Sequence, residues 1–366
     1  MNNKSYIIAE IGVNHNGDIE KACDLVKHAK ECGADAVKFQ TFEPELLVTP
    51  RLGKSPYQVN NTHTNESQLS MLRKYQLTRD EHQKLHLLSK KIEIDFISTP
   101  FDTKSLDYLV KILKLKTIKI SSTDVKNIPY LIEVGATNKN IIISSGMSTI
   151  DDIDLALSAL SFGFKYKGDL LKKKFSHEKH KKHYKVEKKF IQKKIALLHC
   201  TSEYPAPLNE LNLNVLQTLR ERYKIKVGYS DHSANILTGS IARSLGAEII
   251  ETHITINKNL KGPDHKSSLN IQEFKRYIDN IRLTEEMLGV SKKIVTKSEK
   301  KNISKSLKTL VAIKDIKYGE KFTKHNIGIM RSGPGINPCE YFSCLGKRSS
   351  KDIKIYTTIK KNYIGT

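Results

Sequence analysis

The chain of 366 residues contains no tryptophan, and only 7% of its residues are aromatic. No basic stretch is therefore interleaved with the stacking rings that single-stranded nucleic-acid surfaces use. Its five cysteines, Cys23, Cys32, Cys200, Cys339 and Cys344, are odd in number and never occur as Cys-x-x-Cys. That excludes a disulfide framework or a thiolate metal knot and leaves reduced thiols. No apolar run reaches membrane-spanning length, and Met1-Asn2-Asn3-Lys4-Ser5 leads into the first strand without an apolar signal region. The expectation is a soluble cytoplasmic protein with no membrane partner. Acidic residues are scarce, 39 Asp and Glu against 62 Lys and Arg, for a formal charge of +23. The excess is lysine spread along the chain among Ile and Asn, which describes a solvated surface that draws in small anions; no nucleic-acid partner is expected.

What is present is a regular alternation. A chain of this length outgrows a single core, so one large domain and a small one are expected. Short β-branched runs alternate with amphipathic helical stretches as far as residue 290, with strands predicted at residues 6–12, 36–41, 95–99, 117–121, 140–145, 194–201, 226–230 and 248–255. Eight strand–helix repeats argue for an α/β fold closed into a (β/α)8 TIM barrel over residues 1–290. Two stretches interrupt it. Residues 43–78 are polar, too long for an ordinary connection, and read as a lid. Residues 165–193 are dense in lysine and carry His177, His180 and His183; lysine crowding argues against a metal site and for a solvated or helical excursion. Residues 291–306 read as a linker, and 307–366 as a small β-rich module punctuated by Gly and Pro.

In such a barrel the loops converge at the carboxyl ends of the strands, so functional groups belong there. Those ends carry Glu10 and His15; Lys38 and Gln40; Ser98 and Thr99; Lys119, Ser122 and Asp124; Ser144 and Ser145; His199 and Thr201; Ser230, Asp231 and His232; Glu251 and His253. Each such group buried at the mouth costs about 1–3 kcal/mol unless paired, so a purely structural barrel would hold few. Lys38 and Lys119 with the hydroxyls of Thr99, Ser122, Ser144 and Ser230 suit a phosphate and a carboxylate. His232 and His253, with Asp231 and Glu251 beside them, suit one divalent cation.

Seven segments in order carry a resemblance: Ala9-Glu-Ile-Gly-Val-Asn-His-Asn-Gly, Val37-Lys-Phe-Gln-Thr-Phe, Phe96-Ile-Ser-Thr-Pro-Phe-Asp, Ile142-Ile-Ser-Ser-Gly-Met, Leu197-Leu-His-Cys-Thr-Ser-Glu-Tyr-Pro-Ala-Pro, Gly228-Tyr-Ser-Asp-His and Gly262-Pro-Asp-His. Together they resemble the N-acetylneuraminate (sialic acid) synthase family, which includes legionaminate and pseudaminate synthases. The terminal module resembles the antifreeze-like (SAF) domain of these enzymes.

The resemblance implies that Lys38, Thr99, Lys119, Ser122, Ser144 and Ser230 hold phosphoenolpyruvate and that His232 and His253 bind Mn²⁺ or Mg²⁺. It implies that Glu10, Gln40, Tyr204 and Asp264 hold an N-acetylated amino sugar, with Arg331 arriving from the other subunit of a domain-swapped homodimer. Asp124, Glu10 and His253 then stand at the reacting atoms. The implied reaction joins phosphoenolpyruvate to N-acetylmannosamine and water, giving N-acetylneuraminate and phosphate. A 2,4-diacetamido-trideoxy-mannose giving N,N'-diacetyllegionaminate is the alternative, and pseudaminate synthesis ranks third. Ser121-Ser122-Thr123-Asp124 stands where many relatives read Pro-Ser-Gly-Glu. The shorter Asp124 withdraws its carboxylate by roughly 1.5 Å, about one carbon–carbon bond, a displacement that can cost on the order of a hundredfold in rate. Ser202, Thr252 and Leu307 also depart from the pattern, so a degenerate barrel that binds sugar without turnover is the non-enzymatic alternative.

Overall fold

The structure is a computed structural model in which residues 4–169 and 173–365 are described, and it divides into two compact units, Met1–Gly289 and Val290–Thr366. In the first, eight strands, β1 (Tyr6–Gly12), β2 (Ala36–Thr41), β3 (Asp95–Pro100), β4 (Thr117–Ile120), β5 (Asn140–Ser144), β6 (Ile195–Cys200), β7 (Lys226–Asp231) and β8 (Ile249–Thr255), form one parallel sheet in the order β3-β2-β1-β8-β7-β6-β5-β4. The chain ends of that order, β3 and β4, lie side by side, so the sheet curls into a nearly closed barrel. Each strand is a short apolar run, as burial on both faces requires. Tight starts mark the intervening helices. Thr78 with Glu81, Thr149 with Asp152 and Asn270 with Glu273 form reciprocal capping boxes before Arg79–Lys91, Ile150–Tyr166 and Ile271–Leu288. Gly33 ends Ile19–Cys32 at φ 95°, the left-handed geometry glycine accepts without strain.

Helices Ile128–Ala136 and Ile150–Tyr166 cross at glycine. A Cβ on Gly135 would stand 2.3 Å from the carbonyl oxygen of Leu160, and one on Gly163 would stand 2.2 Å from that of Ile132. Only hydrogen fits between two backbones this close.

Both interruptions are structured. Residues 43–78 form helices Pro44–Leu47, Pro56–Thr62 and Gln68–Tyr75. Residues 170–172 of the lysine-rich stretch lie outside the described residues, but the rest forms short helices at His177–His180, His183–Val186 and Lys188–Lys194. His180 and His183 pack in an aromatic cluster on Phe162, with ring centroids 5.1 and 6.0 Å from it, and Tyr184 and Ile191 are buried. The excursion is therefore helical and docked, with His180 and His183 serving packing and His177 exposed.

The second unit has its own core of Leu310, Ala312, Ile316, Phe322, Ile327, Ile336, Cys344, Ile353 and Ile359. Its regular sheet is one antiparallel pair, Thr309–Ala312 with Ile327–Met330. Before it, Lys297–Lys300 and Ile303–Ser306 are short helices with no buried side chain.

Candidate active site

Alternate residues of a strand face the same side, and the barrel interior follows that rule in layers. At the amino end Ile8, Ala36, Ile97, Ile142, Ala196 and Ile249 fill the interior with hydrocarbon. Two residues further along, the same parity brings Glu10, Lys38, Lys119, Ser144 and Glu251 to the floor of a cavity of about 490 Å³ at the carboxyl ends. Ser230 and His232 reach it from β7 and the residue after it, and His253 from β8.

The floor is a compact ionic quartet. Lys38 Nζ lies 2.8 Å from Glu10 Oε2 and 3.6 Å from Glu251 Oε1, and it donates to Thr99 Oγ1 at 3.3 Å. Lys119 Nζ donates to Glu251 Oε1 at 3.0 Å, and Ser230 Oγ donates to that same oxygen at 3.0 Å. None of the four ionic groups is more than 4% exposed. Burial pushes Glu251 upward, but Lys119 and Lys38 outweigh it and hold the carboxyl at about 2. Burial would likewise lower Lys38, yet Glu10 and Glu251 hold it above its ordinary value, while burial wins at Lys119 and lowers it. Glu10 is raised by burial against the pull of Lys38. Burial and then the charge of Glu10 raise Asp264 to about 7. Among the described residues, Ser144 Oγ, Glu251 Oε2 and His253 Nδ1 are buried without a hydrogen-bond partner. Orphans of this kind, about 1–3 kcal/mol each, point to a polar ligand that completes them.

Above the floor stand the two imidazoles, ring centroids 5.6 Å apart. Burial lowers both, and His232 lowers His253 further, so both are neutral and able to ligate. The Nδ1 of His232 donates to the Thr201 carbonyl at 2.7 Å, which puts its lone pair at Nε2. No group of three or more His, Cys, Asp or Glu suited to a metal occurs among the described residues. The pair therefore fits a divalent cation only with water or substrate completing the shell.

The remaining expected residues divide. Gln40, Thr99, Ser122, Tyr204 and Asp264 line the cavity. Tyr204 stacks on His232 at 4.2 Å, and Gln40 Nε2 is 3.5 Å from Glu10 Oε1. Asp124 stands apart from these: it closes the short turn Ser122–Asp124, accepts from Asn127 Nδ2 at 3.1 Å and is not among the residues lining the cavity, whereas its neighbours Ser121, Ser122 and Thr123 are. Arg331 is an exposed residue of the second unit. Strand parity turns Asp231 away as well: it accepts from Tyr277 at 2.9 Å and from Ser233 at 2.6 Å outside the barrel, so it is no cation neighbour. His15 accepts from the backbone N–H of Gly17, and His199 bonds the Leu211 carbonyl.

The lid reading of residues 43–78 named none of the side chains that form the outer wall. Tyr57 stacks on Tyr204 at 5.0 Å, Asn61 donates to the Pro263 carbonyl at 2.7 Å, and Gln68, Met71, Leu72 and Tyr75 line the cavity. The signal was present as spacing: 68, 71, 72 and 75 share one helix face.

The barrel's mouth thus sets two buried lysines and a group of hydroxyls beside two neutral imidazoles, an arrangement chemically suited to a small anion and a divalent cation. The model of the NeuB family matches residues 25–293, and the chain belongs to that family. It is 42% identical over 351 residues to the N,N'-diacetyllegionaminic acid synthase of Campylobacter jejuni, covering 96% of this chain and 97% of that one. It is 36% identical to the N,N'-diacetyllegionaminic acid synthase of Legionella pneumophila, covering 98% of this chain and 94% of that one. Among solved structures, the N-acetylneuraminic acid synthetase of Leptospira borgpetersenii, in complex with citrate, matches with a TM-score of 0.65 at 28% identity, covering 82% of this chain and 91% of that one.

Proposed function

We propose that this protein condenses phosphoenolpyruvate with a 2,4-diacetamido-2,4,6-trideoxy-mannose and water, giving N,N'-diacetyllegionaminate and phosphate. The observation that carries the reading is the cavity floor, where two buried lysines and a set of hydroxyls face a pair of neutral imidazoles in a member of this family. The two legionaminic acid synthases among its relatives favour this acceptor over N-acetylmannosamine, which the motifs alone put first.

In this reading Lys38 and Lys119, with Thr99, Ser122, Ser144 and Ser230, hold the phosphate and carboxylate of phosphoenolpyruvate. Glu10, Gln40, Tyr204 and Asp264 hold the open-chain sugar with its aldehyde toward His253. A divalent cation on His232 and His253, Mn²⁺ or Mg²⁺, would supply Lewis-acid polarisation of that aldehyde when bound. The methylene carbon of phosphoenolpyruvate bonds to the aldehyde carbon, leaving a cation at the enol carbon. Water adds there and gives its proton to a cavity carboxylate. Of the carboxylates lining the cavity, Asp264, raised to about 7, is the one suited to exchange that proton near neutrality. The carbon–oxygen bond to phosphate then breaks, an α-keto acid forms, and the lysines stabilise the departing charge.

A barrel that only binds sugar is less well supported. Of the barrel residues that depart from the pattern, Ser202 lines the cavity, while Asp124 and Thr252 do not. For the second unit, an antifreeze-like role with Arg331 serving the neighbouring subunit's sugar site is part of the same proposal. Phosphate release from phosphoenolpyruvate, dependent on the diacetamido sugar, tests the reading; no release with any acetamido sugar would refute it.

A further inference from the structure

The cavity has two chemically different halves. Its floor carries every cation that lines it, Lys38 and Lys119. Its outer wall is built by residues 43–78 and carries none. Several of that segment's charged residues are taken up in ion pairs away from the lining: Arg73 with Glu45 at 2.8 Å, Lys54 with Glu66 at 3.8 Å, and Glu43 with Arg79 at 3.3 Å. What the segment presents is one face of helix Gln68–Tyr75, with Gln68, Met71, Leu72 and Tyr75 at the i, i+3, i+4 and i+7 positions, flanked by Leu47 and Val48.

Two properties of this face bear on the acceptor. First, it offers no charge, so a phosphate at the sugar's far end would find no partner on this face. Second, its polar groups are half-buried and free of protein partners. Among the described residues neither the Gln68 amide nor the Tyr75 hydroxyl has a hydrogen-bond partner, although both line the cavity. Gln58, by contrast, is committed, accepting from the Ser55 N–H at 3.0 Å and donating to Tyr57 at 3.3 Å. An idle amide and an idle phenol among Leu47, Val48, Met71 and Leu72 match a ligand end that combines a secondary amide with methyl groups.

We infer that the face formed by Gln68, Met71, Leu72 and Tyr75, with Leu47 and Val48, is the specificity surface that reads the end of the acceptor sugar remote from its aldehyde. This inference rests on the proposed condensation. Gln68 and Tyr75 pair with the second acetamido group, while the apolar side chains receive the amide methyl and the deoxygenated terminal carbon. A hydroxyl or phosphate at that carbon meets hydrocarbon. Because a pocket built to hydrogen-bond a group rejects the analogue lacking it, and a buried methyl is worth about 10–200-fold, discrimination on that scale is expected between the two sugars.

The test measures kcat/KM for the 2,4-diacetamido-2,4,6-trideoxy sugar and for N-acetylmannosamine, with saturating phosphoenolpyruvate and Mn²⁺, in the full-length protein and in Gln68→Ala and Leu72→Gln. The native protein prefers the diacetamido sugar, and each substitution lowers the ratio of the two kcat/KM values by about 10–200-fold, with melting temperature measured to confirm folding. A ratio unchanged in both variants, or losses equal for both sugars, overturns the specificity assignment while leaving the condensation intact. Absence of phosphate release by the native protein with either sugar overturns the condensation instead, and the surface's role with it.

Discussion

The Nδ1 of His232 stands 2.7 Å from the carbonyl oxygen of Thr201, and since a carbonyl only accepts, that nitrogen carries the proton. The free lone pair at Nε2 is thereby fixed on the cavity side, where Tyr204 and Ser230 also reach it at 3.3 and 3.4 Å. One backbone contact decides which nitrogen can ligate.

Removal of the cation is therefore expected to abolish turnover. Chelation should reduce phosphate release to background and added Mn²⁺ should restore it, because two imidazoles hold such an ion loosely. His232→Ala and His253→Ala should each lose Mn²⁺ binding, read by calorimetry or paramagnetic resonance, with the fold intact. Full activity in excess chelator would remove the metal from the account.

Asp264 gives the pH dependence. Its folded pKa of about 7 lies above its ordinary value, so the folded state holds a proton that the unfolded chain has already released between pH 3.8 and 7. Stability falls as pH rises through that window, and the cost is complete above about 7, at most about 4 kcal/mol. Asp264→Asn should melt higher than the native protein at pH 8 and show little difference at pH 4. Turnover should nonetheless fall by about 10²–10⁴-fold, the range for loss of a general acid–base group. A melting difference independent of pH would contradict the assignment.

Asp124→Asn is expected to do much less. Its carboxylate is engaged by Asn127 and does not line the cavity, so turnover should stay within about tenfold of native, well short of the loss expected for a proton-transfer group. A loss matching that of Asp264→Asn would return Asp124 to the reacting centre.

These two carboxylates show what the sequence could and could not tell. Strand positions were legible almost to the residue, because buried parallel strands leave apolar runs between capped helices: β2 falls at Ala36–Thr41 as read, and β7 extends one residue beyond its expected end. Parity within a strand is legible too: alternation along Ala36–Thr41 points Lys38 into the barrel, and applied to β7 it separates Ser230 from Asp231. Asp124 was beyond such reasoning because it follows the strand in a short turn, where no period says which way a side chain points. The wall at 68–75 was missed for a different reason. Two of its four cavity-facing residues are polar, so its helix hides in a segment whose composition reads as loop.

The dimer proposal is tested by mixing. Arg331→Ala and Lys38→Ala homodimers should each be nearly inactive. Co-assembled heterodimers should recover one intact site of two, about half the native activity per dimer, if Arg331 of the partner subunit serves the sugar. Confirmed heterodimers no more active than the parents would place Arg331 in its own chain or outside the reaction.

The most direct measurement of the central claim is inorganic phosphate released from phosphoenolpyruvate by the purified protein with Mn²⁺, compared across the 2,4-diacetamido-2,4,6-trideoxy sugar, N-acetylmannosamine and no acceptor. The account predicts acceptor-dependent release, fastest with the diacetamido sugar, with one α-keto acid formed per phosphate. Release independent of acceptor, or none with either sugar, would contradict it.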